Sequence, residues 1–298
     1  MLYFYRVQRC KSFCADVTQS TCGRHGAEIF GSYALPVFNT GANMRLLTIT
    51  ADANPQFPKL ALSLASTPAE VREVQRLRYK IFIKARGLST LANPEGLDQD
   101  EFDAFCDHLI VRDSKTLKVV GTYRVLSADA ARRIGRFYSE QEFDLSRLEH
   151  LRGRMAEAGR ACIHPDYRSG GVIMLLWAGL AAYMRRERCD YLIGCASVSL
   201  ADGGHNAAAL YHALNDRNLA PPEYRVTPHV PFPTEEREAG HAPVVPPLLK
   251  GYLRSGAWVC GEPAWDPDFH CADLFLLLPL ERLDGRYARH YLKETGAL

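Results

Sequence analysis

The sequence predicts an α/β fold in which a central sheet is covered by helices, and three observations carry that expectation. Apolar runs of strand length alternate with helical patterns along most of the chain. Residues 156–184, AEAGRACIHPDYRSGGVIMLLWAGLAAYM, read as a short strand, a tight basic loop and a buried helix. Two β-branched arms flank Asp113-Ser114-Lys115-Thr116 and read as a hairpin.

Taken in order, residues 1–43 show no sustained period of 2 or 3.6 and are expected to be a poorly ordered extension, with Met44 a candidate native start. Thr67-Pro68-Ala69-Glu70 is a helix start: Thr67 caps, Pro68 takes the first helical position and Glu70 completes a capping box. Val71, Val74, Leu77, Ile81 and Phe82 mark the apolar stripe, and Gly87 is the expected stop. Arg72 and Arg76 are expected on a solvated face. Residues 88–104 read as an acidic loop with Asp98 and Glu101 solvated; the Gly and Glu are wrongly placed for a calcium loop. The hairpin arms are residues 108–112 and 118–126. Arg132, Arg133, Arg136, Arg147, Arg152 and Arg154 then mark either a docking face for an acidic partner or a mixed solvated surface.

In the central segment, Cys162 and Ile163 should point to opposite faces and His164-Pro165 should end the ladder. A helix is expected from Val172 to Met184, a buried strand over 190–196 and a helix over 206–214. Residues 221–247 are a proline-rich excursion, 248–254 a short helix, 258–260 and 274–278 late strands, and 281–294 a terminal amphipathic helix. One domain spans 44–298, with a helical and loop insertion at about 206–256.

The 298 residues are 47% apolar and 23% charged with a net charge of +2, so neither a nucleic-acid field nor a disordered chain is indicated. The nine cysteines form no Cys-x-x-Cys pair and are expected as free thiols in a reducing cytosol. Cys10, Cys14 and Cys22 have no fourth partner at metal spacing, so no metal is expected. The longest apolar run is too short for a bilayer, which needs about 20 residues.

Arg168-Ser169-Gly170-Gly171-Val172-Ile173 resembles the acyl-donor loop of the GCN5-related N-acyltransferase (GNAT) fold, with Ile in place of the last small residue. Four segments sharpen this: Leu77 to Phe82, Asp100-Glu101-Phe102-Asp103, Gly121-Thr122-Tyr123-Arg124 and Glu157-Ala158-Gly159-Arg160. Together they resemble acyl-homoserine-lactone synthases and a related branch that acylates free amino acids from acyl carrier protein. Leu88 stands where the lactone synthases carry Trp. Residues 137–145, 162–168 and 246–275 are similar instead to the ornithine acyltransferases of ornithine-lipid synthesis.

The resemblance implies a GNAT-like mixed central sheet flanked by helices. It implies transfer of a 3-hydroxyacyl group from acyl carrier protein to the α-amine of ornithine, giving lyso-ornithine lipid. No bound cofactor is expected; the donor substrate is the acyl-phosphopantetheine of the carrier protein. The amine must lose a proton before attack, and a positioned carboxylate contributes about 10²–10⁴-fold. Glu157 is the candidate base, the alternative being a simple ion pair with an Arg. Arg160, Arg78 and Arg124 with Asp100 and Asp103 are candidates for a network shaping the acceptor pocket, or for fold-stabilising pairs. Cys162, Ile163, Arg168, Ser169, Gly170, Gly171 and Val172 are candidates for donor binding: a backbone N–H near Cys162 or Ile163 for the oxyanion, and Arg168 with the following N–H groups for the phosphate. Cys162 is expected to be a buried thiol rather than a nucleophile. Phe82 and Trp177 are candidates for the acyl groove, Trp177 equally for plain core. Glu262, Asp266, Asp268 and Asp273 are open candidates for a second cationic group on the acceptor.

The expected location is the cytoplasm, with peripheral contact at the inner membrane left open and no nucleic-acid partner. Alternatives are an N-acyl amino acid or lactone synthase with another acceptor, a hydrolase using Ser197 or Ser199 with Asp202 and His205, and a non-catalytic binder of acyl carrier protein.

Overall fold

In chain order the strands are β1 (Ile49–Thr50), β2 (Leu60–Leu64), β3 (Asp107–Asp113), β4 (Val119–Ser127), β5 (Phe143–Asp144), β6 (Met155–Ile163), β7 (Tyr191–Ser199), β8 (Thr227–Pro228), β9 (Trp258–Val259), β10 (Ala264–Asp266) and β11 (Cys271–Pro279). The helices are α1 (Pro68–Arg78), α2 (Ala128–Ile134), α3 (Gly171–Arg186), α4 (His205–His212) and α5 (Pro247–Arg254). This is a computed structural model describing residues 49–50, 59–214, 218–235 and 242–283. The expectations for residues 1–43, including the start at Met44, fall outside these. So does the terminal helix over 281–294, beyond a 3₁₀ turn at Leu280–Arg282.

Nine strands form one sheet in the order β1-β2-β3-β4-β6-β7-β11-β10, with β9 on β11. Every pairing is antiparallel except β6 with β7, so the sheet is mixed. The hairpin forms as read: Asp113 Oδ1 accepts from the N–H of Lys115 at 2.9 Å and of Thr116 at 2.8 Å, an Asx turn that sets the β3–β4 register. α1 carries the capping box of Thr67 and Glu70, widens to a π-helical turn at Tyr79–Ile83, and stops at Gly87 in the left-handed region. Val74, Leu77, Ile81 and Phe82 are buried, while Arg72 and Arg76 are exposed.

Two apolar clusters lie on opposite faces of the sheet, because strand side chains alternate. Ala156, Ala158, Ala196, Val198, Leu274 and Leu276 pack with α3 and α5, whereas Ile193, Cys195, Phe275 and Leu277 pack beneath residues 137–151. β6 is longer than expected, nine residues beginning at Met155. It extends because Ser127 to Val125 of β4 hold it from one side and β7 from the other. Its end at Ile163, before His164-Pro165, is as read.

Cys106, Cys162, Cys189, Cys195, Cys260 and Cys271 are thiols rather than disulfides. Among the described residues no helix is long and apolar enough to cross a membrane.

Candidate active site

The site begins where the sheet divides. β6 and β7 pair only over Met155–Glu157 with Tyr191–Ile193. Beyond that, β6 stays on β4 and β7 stays on β11, so residues 158–163 and 194–199 diverge from a fork. Gly194 sits at the apex: a Cβ there would lie 2.4 Å from the carbonyl oxygen of Ala158. Gly194→Ala therefore forces a backbone shift, with an expected loss of about 1–3 kcal/mol, seen as a lower urea midpoint at unchanged m.

Next to the apex, β6 bulges. Thr122 pairs with Cys162 and Arg124 with Gly159, so Arg160 and Ala161 together oppose Tyr123. Arg160 takes φ +51°, a left-handed conformation uncommon for a non-glycine residue. The extra residue places Arg160 on the same side as Glu157 and sends Ala161 to the α3 side. Cys162 then packs with Leu77, Ile81 and Phe82, and Ile163 with the opposite cluster, the alternation expected for that pair.

Glu157 is buried and held by three donors from one turn. The N–H of Tyr138 donates at 2.5 Å to Oε2, the N–H of Ser139 at 2.8 Å to Oε1, and the Ser139 hydroxyl also to Oε1. That 3₁₀ turn, Tyr138–Gln141, is itself fixed: Glu140 accepts from the Phe137 N–H, and Arg152 grips Glu140 with two bonds of 2.9 and 2.7 Å. Burial raises the Glu157 pKa, and the three donors only partly oppose it. Oε1 is saturated, whereas Oε2 accepts one bond from these donors and retains an acceptor direction. Glu157 lines a small cavity with Phe102, Cys106, Arg124, Tyr138 and Gly159.

Above this cavity, Arg78, Arg124 and Arg160 interlock with Asp98, Asp100 and Asp103. Arg78 is 0% exposed; it donates to Asp98 Oδ2 at 2.7 Å and, as a fork, to both oxygens of Asp103 at 2.9 and 2.8 Å. Arg124 bridges Asp100 at 2.6 Å and Asp103 at 3.0 Å. Arg160 donates to Asp100 and to the Tyr138 hydroxyl, and its guanidinium lies 4.9 Å from the Tyr138 ring centre. Burial opposes ionisation of Asp103, but Arg78 and Arg124 outweigh it and hold the carboxyl far below its usual range. Asp98, expected in solvent, is instead 6% exposed and paired with Arg78 and Arg160. A loop read residue by residue carries no signal that two arginines from distant segments will close on it. Glu101 is exposed and pairs with Arg136.

The donor loop follows β6. Arg168 donates to the Ile163 carbonyl at 3.2 Å, and Gly170 turns the chain at φ +110°. α3 begins at Gly171, and the first helical bond runs from the Met174 N–H to the Gly170 carbonyl. The N–H groups of Gly171, Val172 and Ile173 precede that bond and face outward at a positive helix end. The Val172 side chain points inward instead, to where a Cβ on Gly121 would be. Burial pushes the Cys162 thiol up, which opposes thiolate formation.

Phe82 and Trp177 do not share a groove. Phe82 packs under Cys162, while the Trp177 ring lies tilted against Tyr252 of α5, centroids 5.0 Å apart, and belongs to the opposite cluster. A second, apolar cavity sits at the fork under α5, lined by Ala158, Gly194, Tyr252, Leu276 and Leu278. The hydrolase grouping gains no support: Asp202 accepts from the N–H groups of Gly204 and Asn206 and so serves as a local cap before α4.

The acetyltransferase (GNAT) domain model matches residues 77–178, which run from the end of α1 through β3, β4 and β6 to the donor loop and the first half of α3. The L-ornithine N(alpha)-acyltransferase of Brucella abortus (strain 2308) is 36% identical over 259 residues, covering 80% of this chain and 90% of that protein. The chain belongs to the L-ornithine N(alpha)-acyltransferase family. The enzyme of the same description from Rhizobium meliloti (strain 1021) is 34% identical over 264 residues, covering 83% of this chain and 88% of that protein. Among solved structures, the acyl-homoserine-lactone (AHL) synthase LasI is similar at 12% identity and a TM-score of 0.47, over 81% of this chain and 99% of that one.

In this acyltransferase, sequence reasoning passed over Tyr138 and Ser139, which hold Glu157, and Gly194, which shapes the fork. Residues 137–145 carried part of the family likeness, and that was the available signal for the turn. The six arginines between 132 and 154 form a mixed surface: Arg132, Arg136, Arg152 and Arg154 pair with Asp129, Glu101, Glu140 and Asp190.

Proposed function

We propose that this acyltransferase moves a 3-hydroxyacyl group from acyl carrier protein to the α-amine of ornithine by direct attack on the thioester. The observation that carries the reading is Glu157 at the apex of the fork, with Oε1 saturated and Oε2 retaining an acceptor direction beside the cavity. Extended phosphopantetheine enters between the diverging strands. Its phosphate is held by Arg168 and the N–H groups of Gly171 to Ile173. The N–H groups of the bulged part of β6, near Cys162, receive the oxyanion. The acyl chain occupies the apolar cavity under α5, at Tyr252, Leu276 and Leu278; Trp177 supports Tyr252 from behind.

The ornithine nitrogen attacks the thioester carbon while its proton passes to Glu157, directly or through one water. The tetrahedral adduct collapses, the C–S bond breaks, and the proton returns to the departing phosphopantetheine thiolate. The products are an amide and the free carrier-protein thiol. Arg124 and Arg160, anchored by Asp100 and Asp103, supply positive charge beside the cavity that suits the acceptor carboxylate. The reaction places the enzyme in the cytoplasm, in peripheral contact with the inner membrane that receives its lipid product.

The deciding experiment supplies the purified protein with 3-hydroxyacyl carrier protein and a panel of amino acids, and detects products by mass spectrometry. Nα-acylated ornithine is the expected product. Acylation of other amino acids without ornithine, or thioester hydrolysis alone, would overturn the reading. Arg168→Ala is expected to raise KM for the acyl carrier protein roughly tenfold with little change in kcat, the loss of one charge-assisted contact.

A further inference from the structure

A buried acidic group lies on the same face of the sheet as Glu157, two pleats along: Glu157 is level with Ile193 and the acidic group with Ser197. Asp273 of β11 is 0% exposed and pairs in register with Ser197 of β7. Asp266 of β10 pairs with Cys271, two residues along from Asp273 and therefore on the same face. Ligand atoms of Asp266, Cys271 and Asp273 lie within 4.8 Å of one another. Over them sits Glu142, whose carboxyl meets that of Asp273.

Two polar atoms here have no protein hydrogen-bond partner among the described residues. One is Oε2 of Glu142. The other is the hydroxyl of Ser197, which is only 6% exposed and stands directly across from Asp273. A buried hydroxyl and a buried carboxylate oxygen are rarely left unpaired, because each forfeits about 1–3 kcal/mol. Burial, and then Asp273, raise the pKa of both Glu142 and Asp266. Asp273 is fully buried, Glu142 and Asp266 are half-buried, and no arginine or lysine of the described residues forms an ion pair with them, a setting that suits a cation.

The spacing along β7 is on the scale of a diamino acid. The Cys195 thiol donates to the Ser139 hydroxyl at 3.2 Å, and that hydroxyl donates to Glu157. Ser197 follows Cys195 on the same face, about 7 Å along the strand. The α- and δ-nitrogens of an extended ornithine are about 6 Å apart. The segment that tethers Glu157 also delivers Glu142, whose N–H bonds the Ser139 carbonyl at 3.0 Å. Of the four acids left open by the sequence, Glu262 and Asp268 are exposed.

Resting on the acceptor assignment above, we propose that Glu142, Asp266 and Asp273, with the Ser197 hydroxyl, bind the side-chain ammonium of the acceptor and so select a diamino acid. They are specificity residues, distinct from the base.

The test compares ornithine with norvaline, which has the same carbon chain and no δ-amine, in the assay with 3-hydroxyacyl carrier protein. Wild type is expected to favour ornithine in kcat/KM by at least about 100-fold. Glu142→Gln and Asp273→Asn are each expected to collapse that preference by at least about tenfold, through KM for ornithine. Glu142 is partly exposed, so its variant remains informative if Asp273→Asn fails to fold by circular dichroism. An unchanged preference in folded Glu142→Gln, or equal use of both amino acids by wild type, would refute the cluster and leave the acyltransferase reading standing. Loss of activity on chelation with EDTA and its return with a divalent metal would make the cluster a metal site instead. Wild type that acylates norvaline but never ornithine would remove the acceptor assignment itself, and the cluster with it.

Discussion

Glu157→Gln is expected to lower kcat by about 10²–10⁴-fold, the span of general-base contributions. The substitution keeps the shape and an oxygen for the two Ser139 donors, but turns an amide N–H₂ toward the Tyr138 N–H. Some stability is lost with that bond, about 1–3 kcal/mol, so a thermal melt must accompany the kinetics. The pH profile separates a base from a tether. Burial raises the Glu157 pKa above the ordinary carboxylate value, and a general base works only in its ionised form. The wild-type rate should therefore rise with pH through a limb displaced upward from about 4.3. In the variant that limb disappears, and only the ascent from the acceptor amine remains. Linkage has the opposite sign: a carboxyl whose folded pKa is raised contributes stability below its unfolded pKa and loses it as pH rises through the folded value. Wild type should thus gain activity where this group weakens the fold. Unchanged kcat and an unchanged limb in a folded variant would leave Glu157 a structural residue.

Arg78→Met is expected to cost about 3–5 kcal/mol, a large share of the stability of a single domain. Arg78 is fully buried and its fork is spent on Asp98 and Asp103, so its removal leaves two buried carboxylates facing each other. Asp98 and Asp103 both titrate below their usual range in the intact network. They contribute stability above the unfolded carboxylate pKa and lose it as pH falls through the folded values. The deficit of the variant should therefore be largest near neutrality and narrow in acid, in urea melts run at several pH values. Adding Asp103→Asn should recover part of the loss, since it removes one uncompensated charge. A deficit below about 1 kcal/mol would mean that Arg124 and Arg160 suffice without it. Arg78 does not line the cavity; it holds Asp103, which also pairs with the cavity-lining Arg124, and Asp98, which also pairs with Arg160.

The family likeness and the fold class were legible because their signals are local. A capping box, an Asx turn, a proline after a strand and a glycine turn before an apolar helix each act over a few residues, and each appears where its spacing places it. The arginines and aspartates of the network were also legible as residues, since Glu-x-x-Arg and the paired aspartates form compact patterns. Their pairing was less so. Asp98 read as solvated because nothing near it in the chain is basic; its partners arrive from α1 and from a bulge in β6. The bulge is itself invisible in sequence, being a mismatch of register between two strands.

By itself the sequence determined which groups this acyltransferase has to work with: a glutamate and an arginine three residues apart, a basic glycine loop, two further arginines and their acids. Only the tertiary structure decided how they are used. It parts β6 from β7 beside Glu157, lays the Tyr138–Gln141 turn over that carboxylate, and gathers Glu142, Asp266 and Asp273 from three separate segments. Side-chain type is a property of one residue, but a pKa, a cavity and a charge cluster are properties of distances between residues far apart in the chain, and folding alone sets those.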